Sequence, residues 1–399
     1  MNTLVRWSFV FMLLSGIQPS LFAVENNDRL SVQWDSIKLL CGQAFFYGSI
    51  NEAAQQAEAL ISLSRRSGND SLSCLALMIK STVVNDPLKS LQSFEEALKA
   101  ADRFGNIEMI ITAKSNFAIN RFDVGDIRRA YVLTRELLAL ADSLNSDLAR
   151  EQANLNLAQI YDYIGESQKS AECLHTLVSM LKKNDYHKSL LSLRTAEAYA
   201  GIARCYGKLN MPDSAKWYMD QSLQLAHQHQ LSDVLTRGYI ELAAYYGQNP
   251  SPSASDLQKM RIALDSASQH KGLEDWHLLH QFKITEAKYF LLSGRQRQCI
   301  EMANQLLPIA EKAADTETVR NIKELLYLAH SQLKEFEQAF VNHQAWTALN
   351  DSIATDELAT KLAIYEVDRQ TQEKELENLD LRRKNELARQ RARLMGIGG

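Results

Sequence analysis

Residues 156–174 read NLAQIYDYIGESQKSAECL. Leu157, Ala158 and Tyr161 are spaced for one face of a helix. Gly165 interrupts the run, and Ser170 and Ala171 open a second one. The stretch therefore reads as two helices joined by a tight turn, with small side chains where they meet.

The same arrangement recurs along the chain. Residues 116–133 read NFAINRFDVGDIRRAYVL, and 202–219 read IARCYGKLNMPDSAKWYM. Each first helix carries an apolar–Ala pair: Phe117-Ala118, Leu157-Ala158 and Ile202-Ala203. A turn residue follows, and five residues later comes a small one: Gly125/Ala130, Gly165/Ser170 and Asn210/Ala215. The same offset appears at Ser49/Ala54, Asn85/Ser90, Asn249/Ala254, Gly294/Cys299 and Lys334/Ala339. The small positions are spaced by 36, 40, 40, 45, 39, 45 and 40 residues, a period of about 41.

Physics explains the residue types. Two antiparallel helices joined by a short turn cross closely, and a small side chain at the crossing permits the approach. A leucine there would hold the axes apart. One pair cannot bury its own apolar stripe, so neighbouring pairs must stack. Tyr161 and Tyr206 are placed to fill the space between pairs. Composition agrees: with 16 Gly and 6 Pro in 399 residues, the chain is poor in helix breakers.

These residues resemble the tetratricopeptide repeat (TPR) family. That family's unit has an apolar–small pair and an aromatic in helix A, a turn, then a small residue in helix B. Leu157, Ala158, Tyr161, Gly165, Ser170 and Leu174 match this order, as do Ile202, Ala203, Tyr206 and Ala215. The family unit is 34 residues, so the longer units here imply about one extra turn per helix. The resemblance covers roughly residues 35–350; the sixth unit carries the insert GQNPSPSAS. The fold expected is all-α: a right-handed superhelical array of about eight TPR-like helix pairs, then one long C-terminal helix. The domain reading is 1–23 signal peptide, 24–353 repeats and 354–399 a charged helix.

The N-terminus has the pattern of an export signal. Arg6 precedes an apolar core from Trp7 to Ile17, and Ala23 suits a cleavage site. The core is short for a membrane span. The reading places the chain outside the cytoplasm, periplasmic or membrane-associated. Five cysteines, Cys41, Cys74, Cys173, Cys205 and Cys299, are widely spaced and odd in number. They read as small core residues rather than a disulfide framework, with a Cys41–Cys74 bridge left open.

After the repeats, residues 351–394 contain no Pro or Gly, with Asp351 or Ser352 as expected N-cap. Leu362, Tyr365, Leu376 and Leu379 mark a seam that Arg369, Gln372, Arg383 and Glu386 interrupt. A weakly paired homodimer through this helix is one expectation; a solvated helix is the other. The stretch looks like the segment after the last repeat in exported repeat-containing sensors of bacteria. In those proteins it leads to a membrane span and a histidine-kinase, cyclic-dinucleotide synthase or helix-turn-helix output domain. That resemblance implies a signalling helix. The basic residues Arg382 to Arg393 suit proximity to a membrane. The net charge of −4 offers nucleic acid no general field.

Chemistry is sparse. HExxH, P-loop, GxSxG and GxGxxG motifs are absent. His277 and His280 lie one turn apart beside Glu274, which leaves an enzyme or metal site as the weakest alternative. His227 and His229 diverge on a helix. No cofactor and no catalysis are expected. Binding is the expected work, on the concave helix A face. That face comprises Gln159, Asp162 and Tyr163, then Arg204 and Lys208, then Arg237. Charged groups beside a tyrosine suit a peptide or a small anion, and a protein or peptide partner is the expectation. Helix A does not reproduce the Lys/Asn clamp that the TPR family uses for acidic chaperone tails. The leading reading is a peptide-binding sensor of a signalling protein; the alternative is a stand-alone envelope scaffold.

Overall fold

The computed structural model describes residues 50–396, apart from 69, 84–86, 106, 124, 184–187, 271–275 and 313–314. The export signal, Cys41 and Ser49 lie outside the described residues. Fifteen helices and no strand are described. They are α1 (Ile50–Ser67), α2 (Asp70–Val83), α3 (Pro87–Phe104), α4 (Ile107–Asp123) and α5 (Ile127–Leu144). Next come α6 (Asp147–Tyr163), α7 (Ser167–Leu181), α8 (Lys188–Lys208), α9 (Pro212–Gln228) and α10 (Ser232–Tyr246). The last are α11 (Ala254–Ser268), α12 (Trp276–Leu292), α13 (Gln296–Lys312), α14 (Thr316–Gln332) and α15 (Phe336–Gly396). Each packs on the next, as a stacked right-handed superhelix of antiparallel pairs requires.

The turns are built alike. Gly125, Gly165, Asn210, Gly294 and Lys334 all adopt the left-handed conformation, with φ of 82°, 73°, 57°, 77° and 61°. The next amide then reaches back to the carbonyl five residues earlier. Glu166 N donates to Tyr161 O at 2.8 Å, Met211 N to Tyr206 O at 2.9 Å, and Glu335 N to His330 O at 2.9 Å. The chain reverses in two residues and the second helix starts in a fixed register. Its fourth residue is the small one: Ala130, Ser170, Ala215, Cys299 or Ala339, all buried. Ser170 also ties its pair together, donating from Oγ to Ala158 O at 2.8 Å. The opposing pairs Phe117-Ala118, Leu157-Ala158 and Ile202-Ala203 are buried.

The sixth unit departs from the expected register. Ala254 is exposed at the first turn of α11 rather than buried at a crossing. The insert shifts the helix start: Ser253 caps α11 through a capping box with Asp256. Counting from that start, Leu257 takes the crossing position, and it packs partly buried on the core of this unit. The cysteines behave as core residues. Cys74, Cys205 and Cys299 are buried free thiols, and Cys173 is half-buried. Burial pushes Cys74 and Cys299 up to about 12.

The C-terminal helix also differs from expectation. Asp351 and Ser352 cap nothing; they lie inside α15, which runs unbroken through 61 residues, a rod of about 90 Å. It begins as helix B of the last pair, packed on α14, and then crosses the array to dock on α5. The docking face shares only Tyr365 with the expected seam. Leu362, Leu376 and Leu379 are exposed, at 59%, 67% and 55%. Half a turn away, Ile364 is wholly buried among Ile127, Ala130, Tyr131, Leu157, Ile160 and Ile164, with Val367 beside it. Polar contacts frame the apolar plug. Tyr131 Oη donates to Asp368 Oδ1 at 2.6 Å, and Tyr365 Oη donates to Glu166 Oε1 at 2.7 Å. Lys361 pairs with the same Glu166 carboxylate. Hydrogen bonds from Lys361 and Tyr365 hold Glu166 down to about 2.

Ala130→Leu should overpack its crossing and cost roughly 1–3 kcal/mol, whereas Lys334→Gly should relieve left-handed strain and stabilise by up to about 1 kcal/mol; urea midpoints check both. Because the Glu166 carboxylate is held below its ordinary value, its contribution to docking is complete above pH 4.5. It fades as pH falls toward 2. Hydrogen exchange across 361–368 should accelerate over that window, Ile364→Ala should accelerate it at every pH, and Glu166→Gln should flatten the pH response.

Candidate functional site

A cavity of about 740 Å³ lies between the first helices of successive pairs and α15. Helices α4, α6, α8, α10, α12 and α14 supply its floor and sides. Ser352, Ile353, Asp356 and Glu357 of α15 supply a further wall. The long helix thus closes one side of the site.

All six residues singled out from the sequence line this cavity: Gln159, Asp162, Tyr163, Arg204, Lys208 and Arg237. The first helices of three successive pairs bring their charges together as a ladder. Asp162 on α6 accepts from Lys208 at 2.6 Å and lies 3.4 Å from Arg204 Nε, both on α8. Arg204 Nη1 then donates to Glu241 on α10 at 3.0 Å. Burial works against the Arg204 charge, but Glu241 and Asp162 hold its pKa above the ordinary value. Arg204 and Lys208 are therefore cross-braces between repeats as well as lining groups.

Deeper in the cavity, Arg194 and Glu151 form a near-dry ion pair at 3.4 Å. Beside them sits Glu197. Burial raises its carboxyl to about 7, with Arg237 and Arg194 pulling the other way. Asn116 and Gln152, almost wholly buried, line the same wall; their side-chain NH2 groups have no hydrogen-bond partner. Gln152 does accept from Ser115 Oγ at 3.1 Å. Glu241 Oε2 likewise lacks a partner. Unsatisfied buried groups of this kind cost roughly 1–3 kcal/mol each.

Tyr163 stands at the other end, 42% exposed. Its ring packs edge-on against Phe122 at 5.7 Å between centroids. Burial raises its pKa, helped by the negative charges of Glu357, Asp356 and Glu317.

Asn116, Gln152, Glu197 and the α15 wall were not anticipated from the sequence. Asn116 and Gln152 had a usable signal, being polar residues on the inner side of helix A. The α15 wall had none. Among the described residues no three His, Cys, Asp or Glu side chains gather as a metal site. The side chain of His277 lies outside the described residues. His280 is buried, and burial lowers its pKa against an opposing pull from Asp315. No described helix is long and apolar enough to cross a membrane.

No protein-family model matches the sequence, and no curated protein matches it. Solved structures do match in shape. One is a Rap protein complexed with competence and sporulation factor, at a TM-score of 0.56 and 12% identity, over 88% of this chain and 98% of that one. Another is a Signal Transduction ATPase with Numerous Domains (STAND) protein with a tetratricopeptide repeat sensor, from Pyrococcus horikoshii. It aligns at a TM-score of 0.55 and 12% identity over 91% of this chain. This chain spans 55% of that protein's length. The fold is a TPR-like helical repeat array. At this identity the likeness speaks for the fold alone.

Glu197 supplies a test. Its carboxyl binds a proton more tightly in the folded chain, so stability should fall as pH rises from 4.5 to about 7. Glu197→Gln should therefore raise the urea midpoint at pH 8 and leave it unchanged at pH 4.5.

Proposed function

We propose that the chain is a binding scaffold that takes a protein segment or short peptide into the cavity enclosed by the repeats and α15. It does so without catalysis. The observation that carries this reading is the lining: unpartnered amide groups on Asn116 and Gln152 beside a charged ladder and an exposed tyrosine. Amide NH2 groups match backbone carbonyls, and the cavity is within the size range of ligand pockets.

The finer reading is the exported sensory part of a bacterial signalling protein. The N-terminal pattern of Arg6, an apolar core and Ala23 supports export. The continuity of α15 with the last repeat supports a signalling helix: what happens in the cavity acts directly on a 61-residue rod. The likeness to a Rap protein complexed with competence and sporulation factor and to a STAND protein's repeat sensor accords with sensing. Pairing of two copies through α15, near a membrane, belongs to the same proposal.

The test is selection of random heptapeptides on the purified chain. Retained peptides should lose about tenfold or more in affinity on Tyr163→Ala or Gln152→Leu, in keeping with hot-spot losses of roughly 1–3 kcal/mol. They should be indifferent to Trp217→Ala, which is exposed away from the cavity. Peptides that respond only to Trp217→Ala would move the site elsewhere.

A further inference from the structure

The cavity's charges do not balance. Six carboxylates, together with Glu197, whose carboxyl is raised to about 7, face five basic side chains. Arg194 is engaged by Glu151, and Arg204 and Lys208 by Asp162 and Glu241. Arg320 lies 3.7 Å from Glu317, and it also donates to Asn321 at 2.8 Å. Arg237 is the basic group nearest in effect to Glu197. Asp356 and Glu357 have no ion-pair partner among the described residues. With Glu317 they flank Tyr163, whose phenol responds to all three charges.

Two of these carboxylates ride on α15, while Glu317 rides on α14 and Tyr163 on α6. Because α14 and α15 pack together as the last pair, closure carries the three carboxylates as one negative rim toward the Tyr163 ring and the Asp162 carboxylate on α6. Like charges brought together in a partly enclosed space oppose one another. The dock that resists them is small. It has one wholly buried aliphatic side chain, Ile364, framed by the Tyr131–Asp368 and Glu166–Lys361 contacts. A cation placed among the three carboxylates and over the tyrosine ring would convert the repulsion into attraction. The cavity supplies the rest of a ligand site independently, through the unpartnered NH2 groups of Asn116 and Gln152.

Resting on the binding function proposed above, we propose that the site takes a cationic peptide. A lysine, arginine or terminal ammonium group sits between Tyr163, Glu317, Asp356 and Glu357 and fastens α15 onto the array. Ligand and closure are then linked, each favouring the other to the same degree. A peptide that fits holds the plug at Ile364 in place; without it the helix docks more weakly.

The experiment uses the full chain with N-acetylated pentalysine, pentaglycine and pentaglutamate as probes at low salt. Calorimetry reads affinity, and hydrogen exchange reads Leu157–Ile164 and Lys361–Asp368. Pentalysine should bind at least tenfold tighter than pentaglycine and should slow exchange in both segments. The double variant Asp356→Asn/Glu357→Gln changes exposed or half-buried polar groups only. It should lose at least tenfold in pentalysine affinity. Without any peptide, it should exchange more slowly at the dock than the unaltered chain.

Pentaglutamate binding as tightly as pentalysine would overturn the charge assignment, as would pentalysine affinity unmoved by the double variant. Unchanged exchange at the dock on pentalysine binding would overturn the linkage. Selected heptapeptides that depend on Tyr163 and Gln152, lack lysine and arginine and still bind when N-acetylated would sink this inference while leaving the binding function intact. Heptapeptides that ignore the cavity would sink the binding function itself.

Discussion

A five-residue step governs this molecule: from a turn residue in the left-handed conformation to a small side chain in the following helix. The turn closes in two residues because the backbone at Gly125, Gly165, Asn210, Gly294 and Lys334 can take positive φ. The small side chain lets the two axes come together. Once both are satisfied, the direction of each pair is set, and each pair exposes an apolar stripe that only a neighbour can cover. Where an insert disturbs the step, as before α11, a capping box sets a new helix start and Leu257 fills the crossing instead.

That step is local, which is why it was readable. Gly165 and Ser170 lie within one stretch of chain, and their meaning follows from backbone sterics and side-chain volume. The inner face of helix A was readable for the same reason. Once the register is known, residues such as Asp162, Arg204 and Arg237 must share a side. What they do there was only half legible. Nothing in the local pattern says that Asp162 will be claimed by Arg204 and Lys208 of the next pair, since that depends on the rotation between repeats.

The return of α15 was invisible for a further reason. Its apolar residues suggest two stripes, and the more conspicuous one holds Leu362, Leu376 and Leu379. Those leucines stay exposed, while Ile364 and Val367 meet the array. The receiving surface is built from Ile127, Tyr131, Leu157 and Ile160, which also read as ordinary core positions of their own pairs. A helix-period pattern shows that a face is apolar. It does not reveal which of two distant surfaces that face will meet, and here the polar frame of Glu166, Tyr365 and Asp368 makes the choice.

The Tyr131–Asp368 hydrogen bond joins residues 237 positions apart. Apart from this dock, the helices described join near neighbours, so the stack can grow pair by pair as the polypeptide is made. Closing so long a loop carries an entropic cost that neighbour contacts never meet, and distant pairings form slowly. The receiving surface on α5 and α6 is therefore finished, and bare, long before its own helix has been synthesised. During that interval the newborn chain presents an apolar notch ringed by polar groups, suited in shape to any passing amphipathic helix. Faithful maturation then becomes a race between the chain's own far end and whatever else reaches the notch first.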